Sequence, residues 1–137
     1  FKGWQQKVRI EQVFLGENLA NGSEIYITFD RWKVYVVRKE MDLSFVNFMK
    51  DGADYLIFLS ESIGYTKDGT EVFQFPPNHV IAPVFSYTAH DNVIYPVSEE
   101  STYVPYEAVS DNEFFAVDTD GLDAFLELKK SLVQIYK

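Results

Sequence analysis

The sequence predicts a mainly β fold, a closed barrel with one C-terminal helix packed on it, and three observations carry that expectation. Aromatic residues make up 17% of the chain, with 9 Tyr and 12 Phe, in many short apolar runs; such a composition suits pleated, half-buried surfaces better than a helical bundle. The run Tyr55-Leu56-Ile57-Phe58-Leu59 follows an Asp51-Gly52 turn signal and places apolar side chains on both faces of an extended strand. A strand of that kind asks for cover on both sides, which favours a central position over an edge. At the end of the chain the period changes: Leu122, Phe125, Leu128, Leu132 and Ile135 recur at helical spacing.

The elements follow in order. Between Lys7 and Phe14, Val8 and Ile10 alternate with Arg9 and Glu11, and then Gln12 stands where an apolar residue was due. A one-residue phase slip predicts a β-bulge that bends the first strand, as a small barrel requires. The stretch 16–23 is a loop by its Gly and Asn content. Ile25, Ile27 and Phe29 alternate with Tyr26 and Thr28 in a half-buried strand. Trp32 to Val37 forms a third strand or continues the second, and Leu43 to Met49 is expected to be a short irregular segment entering the Asp51-Gly52 turn.

Lys67-Asp68-Gly69-Thr70 is a hairpin signal leading to a strand that Pro76-Pro77 stops. Ala89-His90-Asp91-Asn92 predicts a second hairpin between the runs 84–88 and 93–97. Ser98 to Ser110 reads as an extended acidic loop, and Phe114 to Val117 as the last strand. Thr119 or Asp120 caps the helix. Length and the absence of repeats or linkers favour one domain, a barrel over 1–118 and a helix over 119–137.

Charge narrows the partners. Twelve basic against 21 acidic residues leave a net charge of −9, and a surface that repels phosphates gains nothing from counterion release, so nucleic acid is not expected. The basic residues Lys7, Arg9, Arg31, Lys33, Arg38 and Lys39 are scattered rather than gathered into a footprint. No cysteine is present, which removes disulfides, thiolate metal sites and cysteine nucleophiles. No apolar run approaches the ~18 residues of a membrane span. The chain opens on Phe1, so a signal peptide or lipid-bearing cysteine is expected, if anywhere, upstream.

The order V-R-I-E-Q-V-F-L-G over 8–16, a Gly/Asn loop, Glu24-Ile25-Tyr26-Ile27, and G-A-D-Y-L-I-F-L over 52–59 resembles the OB-like, netrin-like or tissue-inhibitor-shaped β-barrel domains of exported bacterial proteins. The resemblance covers roughly the first sixty residues. It implies an OB-like barrel, an extracellular or cell-surface setting, membrane contact only through an upstream lipid anchor, and no assigned activity. Metalloprotease inhibitors of that shape use an N-terminal cysteine and disulfides, which this chain lacks, so that mechanism is not implied.

Candidate chemistry is sparse. Only His79 and His90 can serve as imidazoles, and no G-x-S-x-G elbow accompanies a serine. Asp118, Asp120 and Asp123 flank Gly121 and suggest calcium, since hard cations take converging oxygens; capping and the helix dipole account for the same acids. Glu99-Glu100, or Asp54 with Glu61, are the carboxylates for a small glycan hydrolase, the alternative reading. The leading expectation is a non-catalytic binding or structural module. Its ligand, a cell-surface glycan or a protein, would meet Tyr87, His90, Tyr95, Tyr103 and Tyr106, within an aromatic set that also includes Tyr35, Tyr65, Trp4 and Trp32. The other reading of these rings is that they cover the barrel.

Overall fold

The computed structural model describes residues 4–16, 19–29, 32–34, 39–42, 49–74, 84–94, 103–105, 111–116 and 118–137. Among them the chain is mainly β with one C-terminal helix. The strands are β1 (Trp4–Arg9), β2 (Glu24–Phe29), β3 (Trp32–Val34), β4 (Lys39–Asp42), β5 (Tyr55–Ile57) and β6 (Ser62–Tyr65). They continue with β7 (Glu71–Gln74), β8 (Val84–Ser86), β9 (Asp91–Ile94), β10 (Tyr103–Pro105) and β11 (Asn112–Ala116), and the helix α1 spans Thr119–Ile135. No helix among the described residues is long and apolar enough to cross a membrane.

The largest sheet has the order β1-β2-β7-β6. Its β1–β2 and β6–β7 pairs are antiparallel and its β2–β7 pair is parallel. The alternation of β2 works as the sequence predicts: Ile25 and Ile27 are buried and Tyr26 and Thr28 are half-buried. The β6–β7 hairpin also forms where Lys67-Asp68-Gly69-Thr70 places it. Gly69 takes φ 85°, and Thr66 N–H donates to Thr70 C=O at 2.8 Å. Asp68 tightens this turn by accepting from the Thr66 hydroxyl and, at 3.2 Å, from Thr70 N–H.

Among the described residues the strands fall into four sheets and none closes into a barrel. Tyr55 to Leu59 is not a doubly covered central strand. Among the described residues β5 pairs with β8 alone, Leu56 is buried, and Tyr55, Ile57, Phe58 and Leu59 are half-buried. The expected bulge at Gln12 is likewise absent: regular pairing ends at Arg9, with one more bond from Ile10 N–H to Ser23 C=O at 2.8 Å. The phase slip therefore marks the end of the strand. What ties β1 to the segment entering β5 is a side chain. The Gln6 amide donates to Met49 C=O at 2.9 Å and accepts from Met49 N–H at 3.0 Å, as a paired peptide group would.

The second expected hairpin is also corrected. β8 does not pair with β9; β9 runs parallel to β11, across the chain rather than back along it. Within the stretch read as a loop, Tyr103–Pro105 forms β10, an edge strand of the sheet β10-β4-β3 among the described residues, the position in which a sheet tolerates proline. Leu43 to Phe48 and Pro76-Pro77 lie outside the described residues.

The core gathers Ile25, Ile27, Met49, Leu56, Phe73, Val84, Phe85 and Phe114. Phe85 stands edge-on to both Phe114 and Phe58, at 6.0 and 6.4 Å between ring centroids, a preferred aromatic geometry. α1 begins at Thr119 as expected, but its cap is Asp118 rather than Thr119 or Asp120. Asp118, with φ −148°, is its N-cap and accepts from Gly121 N–H at 2.7 Å. Its packed face consists of Leu122, Phe125, Leu132, Val133 and the following Tyr136. Leu128 and Ile135, assigned to that face by spacing, are 41% and 69% exposed.

Two outcomes test this description. Asp118→Ala removes a cap oxygen and should lower the unfolding free energy by about 1 kcal/mol in urea titrations. Asp118→Asn should retain most of it. Asp68 is held below its usual 3.8, first by the Thr66 hydroxyl and then by the Thr70 hydroxyl and N–H. A carboxyl whose folded value is depressed contributes stability fully above its unfolded value and loses it as pH falls through the folded one. The melting temperature of Asp68→Asn should therefore approach that of the parent below pH 4 and fall behind it above, over the range set by that 3.8.

Candidate functional site

Two places concentrate polar or accessible side chains, and strand geometry explains both. The first is a buried polar knot beneath α1. Tyr87 N–H donates to Asp54 C=O at 3.1 Å, and hydrogen-bonded pairs alternate along an antiparallel ladder. The Ser86 N–H therefore points away from β5, inside the protein, and needs another acceptor. Glu113 supplies it: its Oε1 takes the Ser86 N–H at 2.6 Å. The other carboxylate oxygen meets Lys129 Nζ at 2.5 Å, and the same ammonium donates to Thr88 C=O at 3.0 Å. The Glu113 and Lys129 side chains are only 4% and 15% exposed.

The Ser86 hydroxyl completes the knot. Its Oγ lies 3.0 Å from His90 Nε2 and 3.0 Å from Thr88 Oγ1, and it accepts from Thr88 N–H at 3.1 Å. A serine this close to an imidazole has the spacing of a nucleophile and its base. One feature separates it from a working dyad: Ser86 is fully buried, so its hydroxyl has no access to a substrate. Nearby, Asn92 Oδ1 accepts from Phe114 N–H at 2.9 Å, across the register shift of the β9–β11 pair.

The second place is a half-open groove of about 1360 Å³ between the β1–β2 hairpin and residues 49–62. Val8, Ile10, Ile57 and Phe58 line its apolar part, and Phe14, Tyr87 and Tyr136 stand along it. The Tyr136 ring is 5.4 Å from that of Phe14 and 6.0 Å from that of Phe58, tilted at 57° and 76°. The Tyr87 hydroxyl donates to the Tyr136 carbonyl. Burial, then the Asp54 charge, raises the Tyr87 phenol above its usual 10. At the groove's end, burial likewise raises Tyr55, against the Lys50 N–H that its oxygen accepts at 2.8 Å.

The charges along the groove are largely tied down or acidic. Lys7 pairs with Glu24 at 2.8 Å and Arg9 with Glu11 at 2.7 Å. Asp51, Asp54, Glu61 and Glu71 then stand against Lys50 and Lys137.

The residues expected to form one ligand site are not brought together. Tyr87 lies in the groove, 39% exposed. His90 is half-buried and turned to Ser86. Tyr103 belongs to β10, in a different sheet. Tyr95, Tyr106, His79, Glu99 and Glu100 lie outside the described residues. Of the candidate metal ligands, Asp118 is engaged as the helix cap, and Asp120 and Asp123 sit exposed in the first turns. Among the described residues no group of three or more His, Asp or Glu could hold a metal ion.

Sequence reasoning missed Glu113, Ser86, Lys129, Phe14 and Tyr136. One signal was available: Lys129 stands four residues after Phe125 and three before Leu132, inside the apolar stripe, where a lysine needs a buried partner. No family model, curated protein or solved structure matches this chain.

The ion pair has a measurable signature. Lys129→Met should destabilise the fold by roughly 3–5 kcal/mol, because it strands a buried carboxylate. Adding Glu113→Gln should restore much of that loss, read from chemical denaturation of the two single variants and the double.

Proposed function

We propose that this chain is a non-catalytic binding module of an exported bacterial protein, and that it takes a neutral or basic polypeptide segment in the groove between β1 and residues 49–59. The observation that carries this reading is the groove itself, which sets an apolar strip of Val8, Ile10, Ile57 and Phe58 among charged and polar side chains and is rimmed by Phe14, Tyr87 and Tyr136. At about 1360 Å³ it exceeds the ~300–1,000 Å³ of sites built for small molecules. Its rings meet one another edge-on or tilted rather than presenting parallel open faces, which suits apolar side chains better than sugar rings. Its residual acidity and the chain's net charge of −9 favour a partner without excess negative charge.

The exported setting and OB-like architecture belong to the same reading and rest on the motifs of the first sixty residues. A glycan hydrolase has less support. Asp54 and Glu61 are both exposed, and Glu61 already accepts from the Gln74 side chain at 3.4 Å, whereas acid catalysis needs a sheltered carboxyl. Calcium rests on acids of which Asp118 is already occupied by Gly121 N–H.

Titration of isotope-labelled protein with three probes tests the proposal. A synthetic peptide of alternating valine and lysine should shift the resonances of groove residues, its valine–glutamate counterpart should do so more weakly, and a chitin oligosaccharide should not. Tyr136→Ala should weaken the first interaction about tenfold, or ~1.4 kcal/mol. Oligosaccharide binding in the groove, or peptide shifts confined to another surface, would overturn it.

A further inference from the structure

We infer that the polypeptide enters the groove as an added β-strand, hydrogen-bonded through its main chain to β1 on one side and β5 on the other; this rests on the reading of the groove as a peptide site. The ladder alternation decides which peptide groups are available. Ile10 N–H bonds to Ser23 C=O, so Ile10, Val8 and Gln6 turn their peptide groups towards β2, and Lys7 and Arg9 turn theirs outward. The same count applies to β5. Asp54 C=O accepts from Tyr87 N–H, so Leu56 bonds to β8, and Tyr55 and Ile57 direct their peptide groups to the opposite edge. All four outward-facing residues line the groove. Among the described residues no strand pairs with either edge.

A further observation supports pairing over simple apolar contact. The other margin of the same sheet is protected in a way that β1 is not. β6 carries Gly64 at φ 139° and a register shift against β7, irregularities that discourage edge pairing. β1 is regular over its whole length. Its two guarding cations, Lys7 and Arg9, are neutralised by Glu24 and Glu11. An added strand would set alternate side chains, repeating every ~6.6 Å, against the apolar lining. Its partner-facing N–H and C=O groups would meet those of Lys7, Arg9, Tyr55 and Ile57.

Backbone methylation separates strand addition from groove binding. The probe is an eight-residue alternating valine–lysine peptide, compared with the same peptide N-methylated at every second residue. The unmodified peptide should slow amide exchange at Lys7, Arg9, Tyr55 and Ile57 at least tenfold, and methylation should weaken its binding at least tenfold. Lys7→Pro removes an outward donor without breaking the β1–β2 ladder, so it should fold and bind the peptide at least fivefold more weakly; should it not fold, the methylated peptide decides alone. Equal binding of both peptides in the groove would overturn strand addition and leave the peptide site standing. No groove response to either peptide would overturn both.

Discussion

One buried backbone donor, the Ser86 N–H, constrains the architecture around it. Among the described residues β8 is paired with β5 on one side only, and the Ser86 N–H on its other side meets Glu113. A buried, unmet donor costs about 1–3 kcal/mol. Glu113 meets it, but a carboxylate brought there is itself expensive to bury. Lys129 of α1 offsets that charge, and because the same ammonium also holds Thr88 C=O, the helix is fastened to the chain on both sides of the sheet's outer edge. Replacing the group by apolar side chains would leave the Ser86 N–H stranded. The ion pair is thus a solution to a strand-pairing problem, and its value lies in fixing where α1 sits.

That position reaches the groove. Tyr136 follows Lys129 by seven residues, two helical turns, so anchoring one aligns the other along the same face. At the helix end the Tyr136 N–H bonds to Leu132 C=O at 3.0 Å, its carbonyl accepts from Tyr87, and its ring lies against Phe14 and Phe58. The knot and the groove lie on opposite sides of the β8 segment: Ser86 turns inward to Glu113, and Tyr87, the next residue, turns to the groove. The period of two along an extended chain is what lets adjacent residues serve two different environments.

How much of this was legible in the sequence depends on the range of the cause. The turns at Asp51-Gly52 and Asp68-Gly69 were readable because a positive φ at Gly52 and Gly69 is a local demand. The β2 alternation and the start of the helix were readable for the same reason, although the cap is Asp118 rather than Thr119 or Asp120. The partner of β9 was not, because a parallel pairing to β11 leaves no turn signature between them. The continuous apolar run 55–59 misled, because residues that line a groove read the same as residues covered on both faces. Ser86, Glu113 and Lys129 are separated by 27 and 16 positions, and only the misplaced lysine hinted at their meeting. Tyr87, expected to meet a ligand, stands along the groove, whereas His90, expected beside it, faces Ser86.

Two strand edges that no described strand pairs with, beside a groove with an apolar strip, would ordinarily invite indiscriminate pairing. The defence here is collective rather than local. The cations on β1 are already paired with Glu24 and Glu11, so they repel little, and the surplus acid of the chain, −9 in all, supplies repulsion between copies instead. That repulsion does not act on a neutral or basic strand. The charge that keeps copies of this chain apart therefore also admits the partner it is proposed to bind, so that solubility and selectivity follow from one property of the sequence. It further ties both to ionic strength: added salt screens the repulsion between exposed acids over a shorter distance, leaving the apolar lining and the strand edges as the remaining determinants of what the groove accepts.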